Sequence, residues 1–226
     1  LPAFVDAARL LNIRGCSITI PHKIDIIPLL DKTSENVREM GACNTLYRDG
    51  EKICGENTDV IGFTAPLRKR SLSPETRVLV LGAGGVSRAA IAGLRRLGLA
   101  NITLTNRRKE RAEALCNEFG LLCAPWEERG DVPADLIINT TPLGMTGAQE
   151  HETPYPRAFQ DNGIAYDLIY TPFQTRFLRD AAAAGWETVS GLDMFIGQGD
   201  AQFHLWTGHH LPEEAITAVT SALYGQ

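Results

Sequence analysis

The side chain of Lys23 could take part in acid–base chemistry. It follows a short apolar segment that ends at Pro21, and an apolar stretch suited to a short helix begins behind it. A lysine at such a junction can donate or accept a proton, and its charge can stabilise a developing oxyanion. Asp59, in the run Asn57-Thr58-Asp59, offers a carboxylate. Taken singly, such a lysine is usually a surface residue and such an aspartate a helix cap, so neither residue alone predicts catalysis.

A glycine-rich segment offers a different chemistry, the binding of phosphate. The run Gly82-Ala83-Gly84-Gly85-Val86-Ser87 lies between a predicted strand at 77–81 and a predicted helix at 88–97. Glycines permit a tight turn there, and the first amides of the helix are free to bind a pyrophosphate. Ser87 replaces the third glycine of the usual pattern, so the motif alone is a weak signal and a plain structural turn is the alternative. The strand-turn-helix context is what predicts a dinucleotide.

The end of the next predicted strand, at 101–105, indicates which dinucleotide is bound. Enzymes that use NAD usually place Asp or Glu there to bind the ribose hydroxyls. This chain has Asn106-Arg107-Arg108 instead, followed by Arg111. Guanidinium groups match the 2′-phosphate of NADP, so the sequence predicts NADP, with Arg107 as the strongest candidate. The alternative is a solvated, arginine-rich helix start.

The elements that must carry these groups alternate between helix and strand. Before residue 62 the sequence predicts a small α/β unit, made of helix 4–11, strand 15–20, a short helix after Lys23, helix 33–39 and strands 44–47 and 52–55. Helix 62–70 and a Ser/Pro linker at 71–74 lead into strand 77–81, helix 88–97, strand 101–105, helix 109–119, strands 136–139 and 164–167, helix 175–184 and strand 188–189. Helices 198–205 and 213–224 close the chain and are expected to pack back on the first unit. This alternation is typical of a parallel sheet covered by helices.

Composition limits the class of protein and of partner. The 226 residues allow one or two domains, and 44% hydrophobic with 22% charged residues is ordinary for a globular protein. A net charge of −5 provides no basic field for a phosphate backbone, which argues against nucleic acid as a partner. No apolar run reaches the roughly 20 residues that span a bilayer. The five cysteines form no CxxC pair and no partnership with histidine, so we expect no metal and a reduced, cytoplasmic setting.

Several short motifs follow one another in a recognisable order. They are Thr19-Ile-Pro21-His-Lys23, Gly41-Ala-Cys-Asn44-Thr45, Asn57-Thr58-Asp59, the glycine turn, Asn106-Arg107, Asn139-Thr140-Thr141-Pro142-Leu-Gly144-Met145 and a late G-Q-x-x-x-Q-F that begins at Gly197. In order and spacing these motifs resemble those of the shikimate dehydrogenases, from about residue 14 to the end of the chain. A series of motifs in one order is far more specific than any single member.

The resemblance implies an α/β fold of two domains. Residues 1–62 and 191–226 would form a discontinuous substrate-binding domain, and residues 63–190 a doubly wound, Rossmann-type domain that binds NADP. Both ligands would lie in the cleft between the domains. The implied chemistry is the reversible reduction of 3-dehydroshikimate to shikimate, a step of aromatic amino-acid (chorismate) biosynthesis.

The resemblance also implies roles for individual residues. Lys23 and Asp59 would be the catalytic pair, with Asp59 orienting Lys23 and the reacting hydroxyl. The substrate would bind to Thr19, Asn44, Tyr170 and Gln198. The cofactor would contact Gly82, Gly84, Gly85, Val86, Ser87, Asn106, Arg107, Arg111, Asn139, Thr140, Thr141 and Met194. Without the resemblance, Asn44 would be an ordinary turn residue, Thr19 a strand residue and Gln198 a helix-surface residue. Tyr170 and Met194 would belong to the core.

In one respect the sequence departs from the family. The family's first strand carries a Ser-x-Ser pair that binds the substrate carboxylate, and no such pair precedes Lys23. The chain begins without Met and within an expected helix, so we expect an upstream segment, including that first strand, to be missing from it. Loss of this anchor would weaken shikimate turnover and spare NADP binding. The sequence from Gly191 to Gln198 resembles that of family members fused to the C-terminus of a dehydroquinate dehydratase, and this resemblance implies a covalent fusion.

Two related functions remain as alternatives. One is a quinate/shikimate dehydrogenase of relaxed specificity, which comparative turnover of quinate and shikimate would reveal. The other is a non-catalytic module, because fungal repressors of quinate use resemble the same domains as ligand sensors. The presence of both Lys23 and Asp59 argues against the sensor.

Overall fold

The protein contains two β-sheets, seen in a computed structural model that describes residues 1–19 and 21–224. The first sheet has four strands in the order β1-β3-β4-β2. These strands are β1 (Gly15–Ser17), β2 (Lys32–Thr33), β3 (Thr45–Asp49) and β4 (Lys52–Glu56). β3 pairs antiparallel with both β1 and β4, and β2 runs parallel to β4. The sheet is thus a small mixed one, and its strand β2 was not predicted from the sequence.

The second sheet has six parallel strands in the order β10-β9-β8-β5-β6-β7. They are β5 (Val78–Leu81), β6 (Ile102–Thr105), β7 (Leu122–Cys123), β8 (Leu136–Asn139), β9 (Ile164–Asp167) and β10 (Glu187–Val189). All four residues of β5 and of β8 are buried, because helices cover both faces of the sheet. The chain order reverses at β5, which lies between β6 and β8. Ligands bind at the carboxyl ends of the strands beside such a reversal in open α/β sheets.

Eight α-helices are described in residues 1–19 and 21–224. They are α1 (Pro2–Leu10), α2 (Glu35–Met40), α3 (Thr58–Leu67), α4 (Gly85–Arg96), α5 (Lys109–Phe119), α6 (Arg176–Ala183), α7 (Gly191–Thr207) and α8 (Glu213–Tyr224). Among these residues no helix combines the length and the apolar composition needed to cross a bilayer. The same residues contain no cluster of three His, Cys, Asp or Glu side chains suited to a metal ion.

Two helices begin earlier than the sequence indicates. α3 starts at Thr58 rather than at residue 62, because the side chain of Asn57 accepts a hydrogen bond from the amide of Asp59, at 3.1 Å, and caps the helix. α7 starts at Gly191 rather than at residue 198, behind a capping box formed by Ser190 and Asp193. The candidate site residues Asp59 and Met194 therefore lie within regular helices, α3 and α7, rather than in loops.

The segment after Lys23 is irregular rather than helical. It consists of turns followed by a single 3-10 turn at Ile27–Leu29. Pro28 explains the difference, since proline has no N–H to donate and its ring clashes with the carbonyl four residues earlier. β1 ends at Ser17, short of the expected residue 20, and Ile20 lies outside the described residues.

α3 lies between the two sheets and packs against both α4 and α7. A Cβ on Gly62 would lie 2.5 Å from the carbonyl oxygen of Met194, so α3 and α7 cross at close range. A Cβ on Gly93 of α4 would likewise lie 2.5 Å from the ring of Phe63. The helix runs without a break across positions 62 and 63, where the sequence places a domain boundary. These close helix contacts connect the two sheets.

Candidate active site

Lys23 and Asp59 form an ion pair beside a large pocket. The Nζ atom of Lys23 donates to Oδ2 of Asp59 at 2.9 Å, and both side chains are about one-quarter exposed. Lys23 comes from the turn region after β1, whereas Asp59 lies in the first turn of α3. The cap at Asn57 holds that first turn in place, so the carboxylate is presented from a fixed position. Lys23 and Asp59 are 36 positions apart in the sequence and come into contact only in the folded protein.

A buried amide orients the carboxylate of this pair. Asn44 donates from Nδ2 to Oδ1 of Asp59 at 2.8 Å, which leaves Oδ2 for Lys23. The Oδ1 atom of Asn44 accepts from the amide of Thr58 at 2.8 Å and from the hydroxyl of Thr45 at 2.7 Å. Because these donors fix the orientation of the Asn44 amide, its Nδ2 must face Asp59. Asn44 is predicted to bind substrate, and in the structure its amide is engaged with Asp59.

The pocket beside the ion pair has a volume of about 580 Å³. Thr19, Tyr170 and Gln198 line it, together with Lys23, Asn44 and Asp59. All six predicted catalytic and substrate-binding residues therefore border one cavity. The ring of Tyr170 stacks on Phe195 with the centroids 5.1 Å apart, so the wall formed by the segment after β9 and by α7 is aromatic.

Ser17 and Gln202 line the same pocket, and neither was assigned a role from the sequence. The Ser17 hydroxyl donates to Oε1 of Gln202 at 2.7 Å across 185 positions of the chain. This bond uses the oxygen of the amide and leaves its two N–H donors for other partners. The second glutamine of the G-Q-x-x-x-Q-F motif was the available signal, because it lies one helical turn beyond Gln198 on the same face.

The glycine turn follows β5 and leads into α4. Gly82 has φ +116°, and a Cβ there would lie 2.4 Å from the hydroxyl oxygen of Thr140. Gly82 and Gly84 line a smaller pocket of about 210 Å³, and Gly85 lies exposed at the start of α4. Ser87 lies behind the turn, where its fully buried hydroxyl accepts from the amide of Gly84 at 2.9 Å. A serine in place of the third glycine thus supports the turn from beneath.

The predicted arginines border the smaller pocket. Arg107 and Arg111 line it with Arg108 and with Asn106, whose Oδ1 accepts from the amide of Ala83 at 3.3 Å. Arg107, Arg108 and Arg111 are exposed, and among the described residues no carboxylate lines this pocket. Trp126, from a 3-10 turn after β7, adds an aromatic ring to the lining. The donor set of backbone amides and guanidinium groups suits phosphates.

The segment after β8 closes the other side of the smaller pocket. Thr140 and Thr141 line it, and Asn139 lies fully buried behind them. The Oδ1 atom of Asn139 accepts from the amide of Thr141 at 2.9 Å, while its Nδ2 donates to Oδ1 of Asp167 at 3.0 Å. Burial raises the pKa of Asp167 to about 7, although its hydrogen bonds to Thr175, the Ile169 amide and Asn139 oppose that shift. Asp167 was not singled out from the sequence.

Two residues assigned to the cofactor, Val86 and Met194, line the larger pocket rather than the smaller one. Val86 belongs to the first turn of α4, directly after the glycine turn, and Met194 belongs to α7. The larger pocket therefore reaches the helix whose preceding turn lines the smaller pocket.

Three family models match the chain. They are described as the shikimate dehydrogenase substrate binding domain over residues 1–46, shikimate / quinate 5-dehydrogenase over residues 67–128, and the shikimate 5′-dehydrogenase C-terminal domain over residues 191–219. The NADP⁺-dependent shikimate dehydrogenase of Pelobacter propionicus is 56% identical over 226 residues, which cover 99% of this chain and 82% of that relative.

Solved structures share the fold as well. The shikimate 5-dehydrogenase of Thermus thermophilus in complex with NADP(H) and shikimate is 36% identical, with a TM-score of 0.84 over 99% of this chain and 84% of that one. A 5-ketofructose reductase of a Gluconobacter strain, in its ligand-free form, is 30% identical, with a TM-score of 0.88 over 98% of this chain and 83% of that one. Proteins that are named for different substrates thus share this architecture.

Proposed function

The chain belongs to the shikimate dehydrogenase family, and from that premise we propose that it catalyses the NADP-dependent, reversible reduction of 3-dehydroshikimate to shikimate. The observation that carries the proposal is the ion pair of Lys23 and Asp59 at the wall of a pocket that reaches the first turn of α4. A proton donor thereby lies in a pocket that also borders α4, the helix that follows the glycine turn. This is the arrangement that reduction of a ketone requires.

Lys23 handles the proton of the reaction. In the direction of reduction, its ammonium group stabilises the negative charge that develops on the substrate oxygen and donates a proton to it. Asp59 accepts a hydrogen bond from Nζ at 2.9 Å and so keeps the ammonium aimed at the pocket. In the direction of oxidation, the neutral amine of Lys23 accepts the proton of the substrate hydroxyl. Asn44 acts through Asp59 by fixing the orientation of its carboxylate.

The smaller pocket fits the phosphates of NADP. When bound there, NADPH would supply the hydride that reduces the ring ketone of 3-dehydroshikimate, and NADP⁺ would accept it in the reverse direction. The amides of the glycine turn and the start of α4 would bind the pyrophosphate, and Arg107 and Arg111 would bind the 2′-phosphate. Ser87 and Asn139 would act from behind, since both are fully buried and hold the loops that line the pocket.

Polar side chains of the larger pocket would bind the hydroxyl and carboxylate groups of the substrate. Thr19 and Gln198 offer a hydroxyl and an amide, and Gln202 adds N–H donors that its bond to Ser17 leaves free. Tyr170 stacks on Phe195 and would cover the apolar face of the ring. We assign the pocket to a small, polyhydroxylated ring acid on this combination of donors and aromatic surface.

The purified protein tests the proposal directly. Shikimate should reduce NADP⁺, measured by the absorbance of NADPH, and NAD⁺ should serve poorly because, in the part of the chain that the structure describes, the smaller pocket is lined by arginines and by no carboxylate. The comparison substrates are quinate, an alcohol assayed with NADP⁺, and 5-ketofructose, a ketone assayed with NADPH. Equal turnover of quinate would favour the relaxed quinate/shikimate enzyme, and turnover of 5-ketofructose alone would contradict the substrate assignment. If the whole gene product, with any segment upstream of residue 1, binds NADPH but shows no turnover at saturating shikimate, that result would contradict catalysis and favour a sensor.

Three further parts of the assignment remain proposals. We propose that residues 1–62 and 191–226 form the substrate-binding domain and residues 63–190 the NADP-binding domain. The five free thiols support a reduced, cytoplasmic location, which cell fractionation would test. Fusion to a dehydroquinate dehydratase domain is testable on the sequence of the whole gene product.

A further inference from the structure

A buried carboxylate lies where β8 and β9 end side by side. Asp167 is the last residue of β9 and pairs in register with Asn139, the last residue of β8. It is fully buried, and three donors converge on it: Asn139 Nδ2 at 3.0 Å, the Ile169 amide at 3.0 Å and the Thr175 hydroxyl at 2.6 Å. The first two donors share Oδ1, whereas Thr175 alone bonds Oδ2. One oxygen therefore serves two loops.

The first loop belongs to the smaller pocket. With Nδ2 of Asn139 bonded to Asp167, the Oδ1 atom of that amide must face Thr141, whose amide and hydroxyl donate to it at 2.9 and 2.7 Å. The same Nδ2 also donates to the carbonyl of Leu143 at 3.1 Å. Thr141 and Leu143 both line the smaller pocket. Asp167 thus determines the rotamer of the amide on which this loop is built.

The second loop belongs to the larger pocket. The bond from the Ile169 amide fixes the segment directly after β9, and its neighbours Leu168 and Tyr170 line the larger pocket. The start of α7 rests on this segment, because a Cβ on Gly191 would lie 2.5 Å from the carbonyl of Ile169. Movement of this segment would therefore displace the wall that carries Tyr170.

We propose that Asp167 is a positioning residue for both ligands, because its Oδ1 atom holds the loop of the smaller pocket through Asn139 and the wall of the larger pocket through Ile169. The inference rests on the proposed function, which supplies the two ligands. It requires an acceptor oxygen at this position and does not require a charge. Thr175 caps α6 and lines neither pocket, so its bond to Oδ2 is structural.

Replacement of the acceptor should separate affinity from turnover. Asp167→Ala removes the shared oxygen and should raise the KM for NADP⁺ and the KM for shikimate about tenfold each, with a smaller change in kcat. Asp167→Asn should restore both KM values to within about twofold, because its amide oxygen can take the place of Oδ1 while its NH2 faces the Thr175 hydroxyl. If Asp167→Ala is not recovered folded, Asp167→Ser keeps the test, since its short hydroxyl cannot reach both loops.

Two variants serve as matched controls. Asp135→Ala removes a carboxylate that directly precedes β8, at the opposite end of that strand from Asn139, where it is paired with Arg77 at 2.6 Å, and should change neither KM. Thr175→Val removes the third donor and the cap of α6, and should lower Tm while leaving both KM values within about twofold.

The outcomes separate the inference from the function. The wild-type assay tests the function, and binding of NADPH followed by nucleotide fluorescence tests the first loop without turnover. Asp167→Ala with a lower Tm and unchanged KM values would reduce the residue to a structural role. A rise in only one KM would overturn the shared role, as would an Asp167→Asn variant as impaired as the alanine.

Discussion

The two pockets of this protein are built on different principles. The smaller one is assembled mainly from three segments that each follow a strand of the parallel sheet: the glycine turn after β5, Asn106 to Arg111 after β6, and Thr140 to Leu143 after β8, with Trp126 added from the turn after β7. The larger one collects mainly single side chains from β1 and the turn after it, from α3, from the segment after β9 and from α7. Parallel strands bring their carboxyl ends together wherever they pair, so the first pocket follows from the sheet alone. The second pocket depends on how α3 and α7 pack.

The difference teaches where binding and chemistry reside. Under the proposed function, backbone amides and exposed arginines would supply affinity for phosphates in the smaller pocket. In the larger pocket, the ion pair of Lys23 and Asp59 would handle the proton, and its geometry depends on the cap at Asn57 and on the amide of Asn44. Substitutions at the ion pair should therefore leave NADP affinity largely intact, and substitutions in the smaller pocket should leave proton transfer largely intact.

The largest effect is expected at Lys23. Lys23→Ala should lower kcat about 10²- to 10⁴-fold, because it removes both the proton donor and the charge that stabilises the oxyanion. NADPH affinity, measured by fluorescence, should stay within about twofold of wild type. Lys69→Ala, at an exposed lysine after α3, is the matched control and should retain full activity. A Lys23→Ala protein with near-normal kcat would assign the proton transfer elsewhere.

Arg107 should separate the two cofactors. Arg107→Ala should raise the KM for NADP⁺ about thirtyfold, since a charge-assisted bond to the 2′-phosphate is lost, and should leave the KM for NAD⁺ nearly unchanged. The comparison variant is Arg68→Ala, at an exposed arginine that lines neither pocket. Equal losses with both cofactors would mean that Arg107 does not read the 2′-phosphate.

Gly82 tests the turn itself. Gly82→Ala places a Cβ 2.4 Å from the hydroxyl oxygen of Thr140 at φ +116° and should weaken NADPH binding about tenfold, because the turn must shift. Gly147 has the same φ of +116° with no atom within 4 Å of its ideal Cβ. Gly147→Ala should therefore lower Tm without changing NADPH affinity. Equal effects of the two substitutions on affinity would mean that the contact with Thr140 is unimportant.

The two sheets should also differ in how their stability depends on pH. Hydrogen bonds from the Arg9 side chain and the Ile53 amide lower the pKa of Asp31 to about 2, below its ordinary value of 3.8. Its contribution to folding is therefore present above pH 3.8 and is lost as the pH falls through 2. Burial raises the pKa of Asp167 to about 7, so its contribution is complete below pH 3.8 and is lost as the pH rises through 7.

Measurements of Tm against pH can separate these two carboxylates. Asp31→Asn should flatten the profile on the acid side, below pH 3.8, and Asp167→Asn should flatten it between pH 3.8 and 7. These are the smallest effects expected here. A profile that Asp31→Asn leaves unchanged on the acid side would show that the pair with Arg9 contributes nothing measurable, as is common for exposed ion pairs.

The strands of the second sheet were predictable from the sequence because they are short apolar runs separated by helical patterns. Its two-residue edge strand β7, Leu122–Cys123, was not, since so short a strand carries no period. The starts of α3 and α7 were missed for a local reason: caps at Asn57 and Ser190 extend these helices through glycine- and threonine-containing turns of weak helical propensity. Packing of α3 against α7 compensates for that weakness.

The sequence by itself determined the class of fold, the family and the candidate residues, because motifs that bind a nucleotide are contiguous and their order along the chain is informative. Only the tertiary structure showed that Lys23 meets Asp59, that Ser17 meets Gln202, and that Asp167 bonds to both Asn139 and Ile169. The physical reason is the same for each of these contacts. Hydrogen bonds form between groups within about 3 Å, and distance along the chain says nothing about such contacts until strands pair and helices pack.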